Sequence, residues 1–129
     1  MKRDLGLVRE LLLKLEALPM EMSGAETIQP NDPRIAVEGY SEEDIAYHLQ
    51  LLQERGLVEV SDSQPMIGIT FTRLSWQGHD YLDAVRDPKI WHKTKEATDK
   101  VGSWTFEFVK EIAKGYIKSE LQKLGIPGM

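Results

Sequence analysis

Three histidines, His48, His79 and His92, are the side chains of this sequence best suited to acid–base or metal chemistry. An imidazole can move a proton near neutral pH, and two imidazoles one helical turn apart can hold zinc. Here the three are scattered, with no H-x-x-x-H pair and no neighbouring nucleophile motif. His79-Asp80 with a distant third ligand is the one route to a zinc site, and His48 the one candidate general base. The spacing favours surface or hydrogen-bonded core histidines over either role. Glycine-rich phosphate loops and the G-x-S-x-G elbow are also missing from the sequence. The expectation is a protein that is not an enzyme, with no catalytic residue, no metal and no cofactor.

The second set of reactive groups is cationic. A protein that grips duplex DNA replaces phosphate counterions with Lys and Arg. Residues 1–88 hold 8 Lys/Arg against 16 Asp/Glu, whereas residues 89–129 hold 8 against 5. An anion-binding surface is therefore expected in the last third of the chain. If duplex DNA is bound, contact should fall to Arg55, Arg73, Lys110, Lys114 and Lys118. Trp91 and Trp104 lie in the same basic third. The competing reading is an ordinary solvated helix face, because Glu107 with Lys110 and Glu111 with Lys114 stand at pairing distance along a helix.

The elements that would position these residues are legible from periodicity and punctuation. Leu5, Val8, Leu11, Leu12, Leu15 and Leu18 recur at helical spacing, opposite Lys2, Arg3, Arg9, Lys14 and Glu16, and predict a helix over 3–18. Residues 19–40 lack that period and carry three prolines, with Ile35-Ala36-Val37 expected as a brief strand beside the hairpin described next. Ser41 caps a helix over 41–55 whose buried stripe is Ile45, Leu49 and Leu52, and Gly56 ends it. A hairpin follows, with strands at 57–61 and 67–74 around the polar turn Ser61–Met66, and with Ile67, Ile69 and Phe71 sharing one face of the returning strand. Ser75 caps a helix over 75–86, in which Gly78 permits close approach to a neighbour. Asp87-Pro88 starts another over 88–101. The last helix, 103–124, carries Phe108, Val109, Ile112, Tyr116 and Leu124 along one face and is closed by Gly125, Pro127 and Gly128. Core positions expected from these patterns are Ile45, Leu49, Leu52, Leu57, Ile69, Phe71, Leu74 and Leu82.

At 129 residues, 41% of them hydrophobic and 29% charged, the chain fits one globular domain able to bury its own core. It has no cysteine, which excludes disulfides and thiolate metal sites and is compatible with a reducing cytoplasm. The start of the chain is periodic rather than continuously apolar, so no signal peptide is read there, and no run is long enough to cross a membrane. A cytoplasmic protein with no membrane association is expected. The apolar stripe of the last helix is long for a terminal helix. It is expected to pack on the first helix, on a second copy of the chain, or on both, and a homodimer is expected from its length.

Helix, strand, polar turn, strand and a Ser-x-x-Gly corner, in that order, form the skeleton of a winged helix. The expected fold is thus mainly α with a small antiparallel hairpin or sheet. Residues 1–86 would form the winged-helix part, and 87–129 a helical extension packed into the same domain. The opening MKRDLGLVRELLLKLE, the block GYSEEDIAYHLQLLQERGLV and LSWQGHDYLDAVRDPKIWHKTKE resemble a bacterial and phage family known as domain of unknown function 2513. That resemblance spans nearly the whole chain and implies a bacterial or prophage setting without implying an activity. Tyr47-His48-Leu49 through Gly56-Leu57-Val58 also resembles the recognition helix and strand of arsenic-sensor-type regulators. Leu74-Ser75 through Gly78 is similar to the corner after the wing in multidrug-resistance-type regulators. By that likeness the base-facing positions are Glu43, Asp44, Ala46, Tyr47 and Gln50, where acids stand in place of cations. Two functions follow. One is a DNA-associated transcriptional regulator, and the alternative is a protein–protein interaction module that keeps the fold without binding DNA.

Overall fold

The first helix, α1 (Leu5–Glu16), begins where the Asp4 carboxylate accepts the Gly6 and Leu7 amide N–H groups. Leu5, Leu7, Val8, Leu11, Leu12, Leu15 and Leu18 are all buried, as the helical period requires. Arg9, expected on the polar side, is only 8% exposed. Its guanidinium is paired with Glu10 at 3.0 Å, which offsets the cost of taking the charge out of water.

The computed structural model describes residues 1–22 and 24–125, and the chain divides into two compact units, Met1–Asp80 and Tyr81–Met129. Pro127 and Gly128, expected to close the last helix, lie outside the described residues.

Residues 19–40 depart from expectation. The short strand is not Ile35-Ala36-Val37 but β1 (Glu26–Ile28), and Pro33–Ile35 forms one turn of 3-10 helix. The cause is local. Asp32 accepts the Arg34 amide N–H, and Pro33 presets φ for the first helical position. The Arg34 guanidinium then bridges Glu26 at 2.6 Å and Asp32 at 2.8 Å, tying the turn to the strand. That hydrogen bond holds the Asp32 carboxyl below its ordinary range. Ile28 and Ile35, one from each piece, are fully buried.

The helix α2 (Glu42–Arg55) has a capping box, in which Ser41 Oγ accepts from the Asp44 amide and the Asp44 carboxylate accepts from the Ser41 amide. Gly56, at φ 76°, supplies the left-handed residue that stops it. The chain then enters β2 (Val58–Val60), turns, and returns as β3 (Ile69–Leu74). All three strands are antiparallel in the order β1–β3–β2. Ile45, Leu49, Leu52, Leu57, Ile69, Phe71 and Leu74 are buried as expected. Ile67 is not, with 57% of its surface exposed. Gly68 explains the difference: its φ of 91° breaks the strand alternation, so Ile67 turns outward.

Ser75 Oγ donates to the Gly56 carbonyl at 2.6 Å and accepts the Gly78 amide at 3.0 Å, which caps α3 (Trp76–Val85) against the end of α2. Gly78 lies so close to the Leu57 carbonyl that a Cβ there would overlap it.

In the second unit, α4 (Pro88–Val101) and α5 (Phe106–Lys123) pack on each other. Thr94 and Thr98 are fully buried because each hydroxyl donates to a carbonyl one turn back. Tyr81 stacks on Phe106 with ring centroids 4.2 Å apart. The stripe expected on α5 needs correction. Its fully buried residues are Val109 and Ala113. Phe108, Ile112 and Tyr116 are half-buried, while Leu124 lies just past the helix and is 76% exposed. The molecule is thus mainly helical, with five α-helices and a three-stranded antiparallel sheet among the described residues.

Candidate functional site

The outer face of α2 and the β2–β3 turn enclose a cleft in the first unit. Ile45, His48, Leu49 and Leu52 occupy the inner side of α2, so the helical period turns Glu43, Ala46, Tyr47 and Gln50 the other way. The structure brings these four together along one wall of a groove of about 470 Å³. The opposite wall is Pro65, Met66, Ile67 and Gly68. A smaller cleft of about 300 Å³ continues past Glu42 to Gln29, Pro30 and Asn31, and shares Glu43, Ala46 and Ile67 with the first.

The groove is held open by specific bonds. Gln50 Nε2 donates to the Gly68 carbonyl at 3.3 Å across it. Gln64 folds the turn by donating to the Ser61 carbonyl and accepting the Thr70 amide at 3.2 Å. Gly68 abuts the Ile28 carbonyl so closely that a Cβ would collide with it. Met66, at 98% exposure, stands at the rim with its side chain in water.

The electrostatics are one-sided. The groove lining contains Glu42 and Glu43 and no Lys or Arg. Asp44 is spent on the cap. Arg55, at the far end of α2, reaches Gln77 at 3.4 Å. Arg73 is paired across the strands with Glu59 at 2.5 Å. Lys110, Lys114 and Lys118 belong to α5 in the second unit, where Glu107 lies 3.8 Å from Lys110 and Glu111 lies 4.0 Å from Lys114. Nearby, Lys93 contacts Glu120 at 3.6 Å and sits 5.8 Å from the centre of the Tyr116 ring. The recognition-face residues are therefore gathered into one site, while four of the five expected cations each have a local partner.

Each histidine is also accounted for. His48 is buried, and its ring bonds at both nitrogens: Nδ1 lies 2.7 Å from the Asp44 carbonyl, and Nε2 accepts the Asp4 amide N–H at 2.8 Å. A carbonyl can only accept, so the ring is the neutral Nδ1–H form. Tyr40 Oη donates to Asp4 Oδ2 at 2.7 Å, which completes a tie between the start of α1 and α2. Burial, and then this bond to Asp4, push the Tyr40 hydroxyl up to about 12. His79 stands 3.6 Å from Glu16, and His92 stands 2.9 Å from Glu96 on the same helix. No group of three His, Asp or Glu side chains gathers as a metal would require among the described residues.

Sequence reasoning missed Pro65, Met66 and Ile67. Strict alternation placed Ile67 on the same face as Ile69 and Phe71, and a bulky apolar pair beside a glycine inside a polar turn was the available signal.

A small helical protein with an acidic, apolar-rimmed groove between a capped helix and a hairpin is the class that these observations define. The family model described as "Hypothetical protein (DUF2513)" matches residues 2–104, and the chain belongs to that family. It is 30% identical over 124 residues to a Haemophilus influenzae protein named "Uncharacterized protein", across 94% of this chain and 99% of the relative. No solved structure matches the chain. No described helix is long and apolar enough to cross a membrane.

Proposed function

We propose that residues 1–80 form a winged-helix-type module that binds protein rather than duplex DNA. Support for the fold comes from connectivity. Helix, strand, helix and hairpin follow in winged-helix order, with the first strand paired to the last in the sequence β1–β3–β2. The turn at Pro33–Ile35 stands where such folds place a scaffold helix. On this reading α2 is the recognition helix and Ser61–Gly68 is the wing.

One observation carries the choice of partner: the α2–wing groove is lined by Glu42 and Glu43 and by no Lys or Arg. Duplex affinity comes largely from cations that displace phosphate counterions. Carboxylates at that face oppose the approach, whereas exposed Met66 and Ile67 suit an apolar protein surface.

Anisotropy of a labelled mixed-sequence duplex, titrated with the protein at low salt where electrostatic attraction is strongest, tests the choice. The expected result is no saturable rise. Saturable binding lost on replacing Tyr47 or Gln50 by Ala would restore the regulator reading, with α2 reading bases. Saturable binding lost on replacing Lys110, Lys114 and Lys118 by Glu would place DNA on the second unit instead.

A further inference from the structure

We infer that the α2–wing trough takes an extended peptide segment of another protein, one that alternates Lys or Arg with aliphatic side chains. The inference rests on the interaction-module reading and names the partner chemistry for that same groove.

Three features of the trough select this occupant. The first is shape. The two clefts share Glu43, Ala46 and Ile67, so they form one channel from the wing to the loop after β1. A channel of that kind suits an extended chain. Its walls are set before binding, because Gly68 is packed on the Ile28 carbonyl and Gln50 spans to Gly68. A preformed groove spares part of the ordering cost of association.

The second is charge. Glu42 and Glu43 are exposed, and neither has an ion-pair partner among the described residues. The helix dipole accounts for acids at this end of α2 as a class. It leaves both carboxylates open to an arriving cation. A phosphate-bearing ligand meets these two carboxylates and no Lys or Arg side chain.

The third is the mixture of lining groups. Gln53 and Asn31 are primary amides that both donate and accept and so match the alternating N–H and C=O groups of an extended backbone, while Gln50, bonded to Gly68 through one amide hydrogen, keeps its carbonyl to accept. Ala46, Met66 and Ile67 give an aliphatic side chain somewhere to lie, and methionine adapts its shape to what it meets. Cations at the glutamates, backbone on the amides and aliphatic groups on Met66 and Ile67 together describe a basic–apolar peptide.

The test is a ¹H–¹⁵N correlation spectrum of the full chain titrated with three synthetic peptides of equal length, alternating Lys-Leu, Glu-Leu and Lys-Ser. The Lys-Leu peptide should shift the amides of residues 42–53 and 64–68 and saturate below about 1 mM. The other two should bind more weakly. Glu43→Lys should weaken the Lys-Leu peptide by about fivefold at low salt, as expected for an exposed charge pair. Met66→Ser, at a position 98% exposed, should weaken it as well while leaving the rest of the spectrum in place. No shift with Lys-Leu, equal binding of Glu-Leu, or shifts confined to other residues would each overturn the inference. So would concentration-dependent shifts of these same amides without peptide, which would give the groove to a second copy of the chain. Failure here leaves the module reading intact, because that reading fails only if duplex DNA binds.

Discussion

At the scale of single residues, the tie between Tyr40, Asp4 and His48 shows how local chemistry replaces the roles that residue type alone suggests. His48 resembles a general base in the sequence, yet both ring nitrogens hold backbone groups and the ring lies in the core. Tyr40 supplies a sharper test. Its hydroxyl is pushed from 10.0 to about 12 in the folded protein, first by burial and then by the Asp4 hydrogen bond. The folded state therefore keeps a proton that the unfolded chain releases. This contribution to stability is complete below about pH 10 and is lost as pH rises toward about 12. Tyr40→Phe should cost about 1 kcal/mol at neutral pH through the lost hydrogen bond. The gap between wild type and variant in urea midpoint should then close above pH 10. A gap that stays constant across that range would contradict the assignment.

At the scale of elements, the junction of α2, β2 and α3 is the most tightly specified part of the first unit. Gly56 ends α2, its carbonyl accepts from Ser75, and Gly78 lets α3 approach the Leu57 carbonyl. Gly78→Ala should destabilise the protein by about 2–4 kcal/mol in urea unfolding, because the obstructing atoms are backbone and cannot move aside. A change within about 0.5 kcal/mol would show that the junction yields. The sequence announced this region because its signals are short-range: a cap, a stop glycine and a period of two or 3.6 residues. It did not announce β1. Three residues, Glu26–Ile28, carry too little periodicity to be seen, and their strand state is set by pairing with β3 more than forty residues away. Nor did it announce the groove. The wall residues Glu43, Ala46, Tyr47 and Gln50 were readable from the helical face, but Met66 and Ile67 come outward because Gly68, at positive φ, turns the chain just before β3.

At the scale of the whole molecule, charge is divided. Residues 1–80 contain seven Lys/Arg and fourteen Asp/Glu, and residues 81–129 contain nine and seven. The second unit keeps Phe108, Ile112 and Tyr116 half-buried on α5. We propose a second copy as their cover, so light scattering at tens of micromolar should give twice the 14.7 kDa chain mass. The mass of a single chain would remove the dimer from the account without touching the groove.

We propose that the first unit has winged-helix form without the charge that holds a duplex. Replacing Glu42, Glu43 and Asp62 by Lys supplies that charge on α2 and the wing without touching the capping box. In duplex anisotropy titrations the wild type should show no binding at low salt. The triple variant should bind, with a log–log salt slope of up to about −3 for three added phosphate contacts. Wild-type binding that disappears with Tyr47→Ala or Gln50→Ala would contradict the claim, and so would a folded triple variant that gains no affinity for DNA.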